Sequence, residues 1–197
     1  LVTRVEDRGR AATILTRMAN ELVSLPVVRT IQETILGISK NRNPVRFAHR
    51  SLFRQIRPVM GNGPVQILYF TGCFAAYVRP SVGTAAVQIL THMGFSVHTP
   101  AQHCCGLPML SKGMVSRARK TILHNLEKWG RLVSGMDYVV VTCPSCGLSL
   151  LQEWQDILES PLIRMIQAKT IHISDLVNRY SNRLSIHRTS DGIPMAY

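Results

Sequence analysis

The sequence has 197 residues, of which 46% are hydrophobic and 17% are charged. This length suffices for one well-buried domain, or one domain with an appendage, and excludes several large domains within these residues, while the composition excludes a disordered chain. The net charge is +12, and most of the excess lies in residues 1–60, which hold 11 basic and 4 acidic side chains. Because basic side chains are in excess, nucleic acid, an anionic membrane surface and an acidic protein are candidate partners.

The sequence shows neither a signal peptide nor a membrane-spanning segment. Leu1 opens directly into amphipathic sequence without the charged start, apolar stretch and cleavage site of a signal peptide. No run approaches the ~20 apolar residues that a membrane-spanning helix requires. We therefore expect part of a longer cytoplasmic chain, free or held peripherally on the inner face of the cell membrane.

The N-terminal third predicts helices. Apolar residues recur at helical spacing over about 2–24 and 27–39, and Pro26 separates the two stretches. A short basic helix is expected from Phe47 to Ile56. Its exposed side would carry a stripe of four arginines: Arg46, Arg50, Arg54 and Arg57.

A turn signal, Gly61-Asn62-Gly63-Pro64, divides this helical part from the rest of the sequence. Beyond it, short apolar runs alternate with longer periodic segments, which is typical of parallel strands joined by helices. Strands are expected at 65–70, 95–99, 137–142 and 170–173. Helices are expected at about 80–93, 115–132, 147–159 and 174–180. The predicted fold class is α/β, a Rossmann-like parallel sheet with flanking helices, preceded by a helical N-terminal segment.

The five cysteines all come shortly after predicted strands. Cys73 follows the first strand, Cys104 and Cys105 follow the second, and Cys143 and Cys146 follow the third as C-x-x-C. Because the carboxyl ends of parallel strands open onto one edge of a sheet, the loops there converge. The sequence therefore predicts one cluster of five thiols.

Several chemistries compete for such a cluster. An odd cysteine count in a chain without a secretion signal disfavours a disulfide framework. A structural zinc site uses four ligands, so one cysteine would be a spectator. Iron–sulfur ligation uses thiolates at comparable spacings. The sequence favours an iron–sulfur centre, and zinc and redox or structural thiols are the alternatives.

Residues beside the cysteines are candidates for supporting the centre. Gly72, Gly106 and Gly147 permit close backbone approach and positive φ, which would leave amide protons free to hydrogen-bond sulfur. His103 is a candidate donor to sulfur, and an exposed loop histidine is the alternative. Such donors would stabilise the reduced state of the centre and raise its potential.

Two stretches, 69–74 (YFTGCF) and 103–109 (HCCGLPM), together with the C-x-x-C, resemble the cysteine-rich CCG domain. This domain occurs in the B subunit of heterodisulfide reductase and in iron–sulfur subunits of glycolate oxidase, lactate-utilisation proteins and anaerobic glycerol-3-phosphate dehydrogenase. The stretches most resemble the C subunit of the last of these, and the glycolate oxidase type is also similar. The resemblance covers about residues 64–180.

The resemblance implies a cofactor and a domain organisation. In the B subunit of heterodisulfide reductase all five motif cysteines bind a non-cubane [4Fe-4S] cluster, so all five here become candidate ligands, with zinc as the alternative metal. Residues 1–60 would be a basic connector after a missing ferredoxin-like domain, and 64–182 the CCG domain. Residues 183–197 would lead into a missing second CCG domain.

The family also implies a function. We expect an electron-transfer subunit that receives electrons from a flavin-containing dehydrogenase, acting on glycerol 3-phosphate or a 2-hydroxy acid, and passes them towards a membrane quinone. Substrate chemistry would take place on the partner, so no catalytic residue is assigned. The alternatives are a catalytic subunit that cleaves disulfides and a zinc-stabilised binding module. No nucleic-acid partner is expected, because the basic residues are not interleaved with aromatic ones.

Overall fold

A computed structural model describes residues 16–183, with side chains from residue 20 onward. The sequence-predicted helix from residue 2 lies partly outside this range, and the proposed linker beyond residue 183 lies wholly outside it. Among the described residues, no helix is both long enough and apolar enough to cross a membrane.

Five strands form one sheet. They are β1 (Val59–Met60), β2 (Val65–Phe70), β3 (Phe95–His98), β4 (Tyr138–Val141) and β5 (Thr170–His172), and their order in the sheet is β1-β3-β2-β4-β5. The first strand pairs antiparallel with β3, and all other pairs are parallel. The α/β prediction is confirmed. The strands β3 and β4 lie on opposite sides of β2, so the connections that follow β2 and β3 lead to opposite sides of the sheet. In open parallel sheets, ligands bind at such a point, beside the carboxyl ends of the strands.

Helices connect the strands and cover both faces of the sheet. In chain order they are α1 (Thr16–Ser24), α2 (Pro26–Leu36), α3 (Gly72–Tyr77), α4 (Pro80–His92), α5 (Leu107–Leu110), α6 (Val115–Val133), α7 (Pro144–Leu148), α8 (Trp154–Ile157), α9 (Pro161–Lys169) and α10 (Ile173–Arg179). A π-helical turn, Ser149–Glu153, joins α7 to α8. Short 3-10 turns occupy Leu52–Arg54 and Ser181–Arg183.

The strands are apolar on both faces, so each face builds its own core. Alternate residues of a strand point to opposite sides. One core joins the strand residues Ile67, Tyr69, Val97 and Val140 to Leu90 of α4. The other joins the strand residues Leu68, Phe70, Val139 and Val141 to Trp129 of α6 and Trp154 of α8. The three buried cysteines belong to this second core.

The prediction of a basic helix from Phe47 to Ile56 is wrong. Only the 3-10 turn Leu52–Arg54 forms there, because tertiary contacts hold the segment. The Leu52 side chain is fully buried and occupies the space that a Cβ on Gly83 of α4 would need. The four predicted arginines do lie on the surface.

Two helix boundaries differ from the predicted ones for local reasons. The second helix ends at Leu36 rather than near residue 39, because Gly37 adopts a left-handed conformation with φ of +64° that caps it. The helix expected from residue 147 begins at Pro144. Helix α9 was not predicted from the sequence, although Ser160 caps it by accepting a hydrogen bond from the Leu162 amide.

Candidate metal centre

The three cysteine groups lie in loops and first helical turns at the carboxyl edge of the sheet. Cys73 is in the first turn of α3, after β2, and the vicinal pair Cys104 and Cys105 lies between β3 and α5. Cys143 is the N-cap residue of α7, and Cys146 is in the first turn of that helix. Cys104, Cys105 and Cys146 are buried, whereas Cys73 and Cys143 are partly exposed.

The structure brings all five thiols into one continuous hydrogen-bonded row. Cys104 bonds to both Cys73 and Cys105. Cys105 also bonds to Cys146, and Cys146 bonds to Cys143. We call the set Cys73–Cys104–Cys105–Cys146–Cys143 the thiol row. Residues that are up to 73 positions apart in the sequence thus share one site, as the strand order requires.

Each thiol of the row bonds to one or two of the others. Within residues 16–183, no group of three or more His, Cys, Asp or Glu side chains is arranged to hold a single metal ion. A structural zinc ion is enclosed by four ligands in a tetrahedron. The row therefore offers more sulfur donors than one such ion uses, and it lacks a preformed tetrahedral site.

Hydrogen bonds along the row lower the pKa of some of its thiols and raise the pKa of others. Hydrogen bonds from Cys105 and Cys73 lower the pKa of Cys104 to about 3, and the bond from Cys146 lowers the pKa of Cys143 to about 5. The bond with Cys104 raises the pKa of Cys105 to about 12. The pKa of Cys146 is raised as well, by its bonds with Cys105 and Cys143. At neutral pH the row therefore contains thiolates, the form that binds metals.

Backbone amides at two helix starts also donate to these sulfurs. The amides of Cys105 and Gly106, at the start of α5, donate to the Cys104 sulfur. The amides of Ser145 and Cys146, in the first turn of α7, donate to the Cys143 sulfur. Donors of this kind stabilise negative charge on sulfur, whether the sulfur is free or bound to a metal.

Gly72 makes the closest approach to the row. Its φ is +66°, and a Cβ at this position would lie 2.8 Å from the Cys146 Sγ, well inside ordinary van der Waals contact. Gly106 has a φ of +92° and precedes α5 as its N-cap. Gly147 serves helix packing instead, because a Cβ there would lie 3.3 Å from a methyl group of Val141.

The backbone of the vicinal pair is anchored by Asn125 of α6, which is fully buried. Its Oδ1 accepts a hydrogen bond from the His103 amide at 2.7 Å. Its Nδ2 donates to the carbonyls of His103 and Cys104, each at 3.3 Å. The His103 ring packs against the ring of His124, with 3.8 Å between centroids.

Asn125 was missed from the sequence, although a signal was present. It interrupts the apolar stripe by which α6 packs on the sheet, formed otherwise by Ala118, Ile122, Trp129 and Val133. A polar residue at a core position of an amphipathic helix requires buried hydrogen-bond partners. The loop of the vicinal cysteines supplies them.

A second anchor holds the carbonyl oxygen of Cys105. Ser149 Oγ and Trp154 Nε1 both donate to this oxygen, each at 2.8 Å. In an α-helix, residues five positions apart point about 140° away from each other, since each residue turns the helix by about 100°. The π-helical turn Ser149–Glu153 replaces this geometry with bonds between residues five apart. Both donors can then face one acceptor.

Tyr69 lies beside the C-x-x-C loop, and its ring belongs to the core on the face of the sheet covered by α4 and α10. Its ring is buried, and its hydroxyl is 3.0 Å from Thr142 Oγ1. Burial raises the pKa of Tyr69 to about 12. The side chain therefore stays neutral.

Alkylation should report the thiolate pattern. In reduced, metal-free protein, we expect iodoacetamide to label Cys143 faster than Cys105 or Cys146 at about pH 7, because Cys143 is partly exposed and its pKa is lowered to about 5. Between about pH 7 and pH 9 its labelling rate should stay flat, whereas a thiol with an ordinary pKa near 8.5 would react faster as the pH rises. Peptide mass spectrometry gives the rates, and urea-unfolded protein is the control. A Cys143 rate that climbs with pH as it does in urea would contradict the prediction.

Comparison with known proteins finds a family model and several proteins that are similar to this chain. The family model described as "CCG: Cysteine-rich domain" matches residues 67–151. The chain is 26% identical over 163 residues to the C subunit of anaerobic glycerol-3-phosphate dehydrogenase from Escherichia coli (strain K12), a match that covers 80% of this chain and 41% of that protein.

Two archaeal proteins are also similar. The B subunit of fumarate reductase (CoM/CoB) from Methanothermobacter marburgensis is 33% identical over 100 residues, which are 50% of this chain and 20% of that protein. An uncharacterized iron-sulfur protein of Methanococcus maripaludis is 29% identical over 99 residues, with the same coverage. The chain thus spans less than half the length of each of these relatives. No solved structure matches the chain significantly.

Proposed function

We propose that this chain is the iron–sulfur electron-transfer subunit of a dehydrogenase or reductase complex, since the family model of the CCG cysteine-rich domain matches residues 67–151. The observation that carries the proposal is the thiol row, since it links every cysteine of the chain in one site. The names of the similar proteins, which include reductase and dehydrogenase subunits and an iron-sulfur protein, support it.

In this proposal all five cysteines of the thiol row hold a [4Fe-4S] cluster, including the non-cubane form that the family resemblance implies. The residues fit such a group: thiolates are already favoured at Cys104 and Cys143, and the missing side chain of Gly72 leaves space beside Cys146. When bound, the cluster supplies reversible one-electron chemistry. The amide donors to Cys104 and Cys143 favour the more negative, reduced state and so raise the potential.

The partners in this proposal follow from the relatives. A flavin-containing dehydrogenase subunit oxidises the substrate, and sn-glycerol 3-phosphate is the first candidate because of the similar glycerol-3-phosphate dehydrogenase subunit; a 2-hydroxy acid is the next. Electrons then pass through this chain towards a membrane quinone. The exposed arginines near residues 46–57 suit a peripheral position on the inner membrane surface.

Metal analysis tests the proposal directly. We expect protein purified without oxygen to contain iron and acid-labile sulfide, and to give an electron paramagnetic resonance signal in one of its redox states. Serine variants of each cysteine of the thiol row should lose iron. The matched control is Ser111→Ala, a change at an exposed position outside the row, which should keep it. Stoichiometric zinc without iron or sulfide would overturn the proposal.

A further inference from the structure

A pocket of about 460 Å³ opens beside the sheet, away from the thiol row. Residues 51–58 form one wall, and the loop 99–102 forms the opposite wall. This volume falls within the range of roughly 300–1,000 Å³ that is typical of small-molecule sites. The segment before β1, which forms a 3-10 turn instead of the predicted helix, supplies the first of these walls.

The walls combine apolar surface with positive charge. Phe53, Ile56 and Tyr77 contribute apolar side chains, Arg54 and Arg57 contribute guanidinium groups, and none of the lining residues is acidic. Neither guanidinium has an ion pair or a hydrogen bond with any other residue in the described range 16–183. Two such groups beside an apolar wall favour an anionic ligand with an apolar body.

Thr99 supplies an independent indication of a ligand. It lies in the pocket wall and is 5% exposed, and its Oγ1 has no hydrogen-bond partner in the described structure. A buried hydroxyl without a partner is unfavourable, so native proteins rarely keep one unless another group completes its bonding. The oxygen itself has less than 1 Å² of accessible surface, so a polar ligand atom bonds to it only after the Thr99 side chain rotates towards the pocket.

A second, smaller cavity lies between this pocket and the Cys73 end of the thiol row. It is lined by Cys73 and Cys104, and it shares Phe53, Tyr77 and Gln102 with the larger pocket. The two cavities are therefore neighbours.

We propose that this pocket binds a small organic anion, a carboxylate, sulfonate or phosphate attached to an apolar, flat body. Arg54 and Arg57 hold the anionic group, Phe53 and Tyr77 pack on the body, and the Thr99 hydroxyl bonds to a polar atom of the ligand. The proposal concerns binding alone and does not depend on what the thiol row holds.

Two dyes of the same shape test the site. We expect 8-anilinonaphthalene-1-sulfonate to bind the purified chain with one site per chain, and to bind more tightly than the uncharged N-phenyl-1-naphthylamine. Arg54→Gln/Arg57→Gln should weaken binding of the sulfonate about tenfold, which corresponds to the loss of about 1.4 kcal/mol. The control Arg46→Gln/Arg50→Gln removes two exposed arginines outside the pocket and should not change it. Equal affinity for both dyes, or equal loss in both double variants, would overturn the proposal.

Thr99→Val separates a binding role from a purely structural one. The change replaces the hydroxyl with a methyl group of the same size, so the fold should persist. We expect the affinity for the sulfonate dye to fall about threefold or more. An unchanged affinity would overturn the role of Thr99 in the site, because removing the hydroxyl would then only have relieved an unpaired buried group.

Discussion

The double variant Ser149→Ala/Trp154→Phe is expected to lose about 3 kcal/mol of unfolding free energy, because it removes both donors to the Cys105 carbonyl. That oxygen lies in the buried core with Cys105, so water cannot readily replace the lost partners. The vicinal loop should move to find new partners, and the protein should then lose most of its iron.

Each single change should be milder. With either donor left in place, the carbonyl keeps one hydrogen bond, and the loss should be about 1 kcal/mol. The two changes together should therefore exceed the sum of the single effects, as is usual when two groups share one partner. Urea unfolding of the four proteins in this cycle measures the excess.

Trp129→Phe is the matched control. Trp129 is as fully buried as Trp154, and the two indole rings stack with centroids 5.8 Å apart. The Trp129 indole donates over a longer distance, 3.4 Å, and to the Ala101 carbonyl rather than to a cysteine. Its variant should retain iron. If Trp129→Phe lowers the iron content as much as the double variant does, general loss of core packing would explain the effect and the proposed anchor would be wrong.

The placement of the five thiols could be predicted because it depends on a rule of topology. Cysteines that follow β2, β3 and β4 must meet if these strands are parallel neighbours, and the apolar runs already indicated the strands. The positive φ of Gly72 and Gly106 was also predicted, whereas Gly147, named on the same ground, does not adopt a positive φ. These features follow from short stretches of sequence.

The anchors of the vicinal loop could not be predicted in the same way. The turn Ser149–Glu153 reads as ordinary α-helix in sequence, and only the contact of its donors with Cys105 favours the π form. The 3-10 turn at Leu52 likewise depends on Gly83, 31 residues later, which leaves room for the leucine side chain. Both turns depend on contacts between residues that are distant in the sequence, and local secondary-structure propensity does not reflect such contacts.

Gly72→Ala is expected to remove most of the iron, whereas Gly113→Ala should leave the iron content unchanged. Both glycines are left-handed, with φ of +66° and +69°, so both variants should lose about 1–2 kcal/mol of unfolding free energy from backbone strain. Only Gly72 has a neighbour within reach of the added methyl group, since a Cβ at Gly113 would meet nothing within 4 Å.

The difference between the two variants isolates one contact. A methyl group on Gly72 would lie 2.8 Å from the Cys146 Sγ, so the sulfur must move away from its place between Cys105 and Cys143. The thiol row would then be interrupted next to its Cys143 end, and a cluster that needs both ends would bind weakly. Iron and sulfide analysis beside thermal unfolding of both variants measures this. Full iron retention in Gly72→Ala at the stability of Gly113→Ala would mean that the position of Cys146 is not critical, and the five-ligand proposal would fail at that residue.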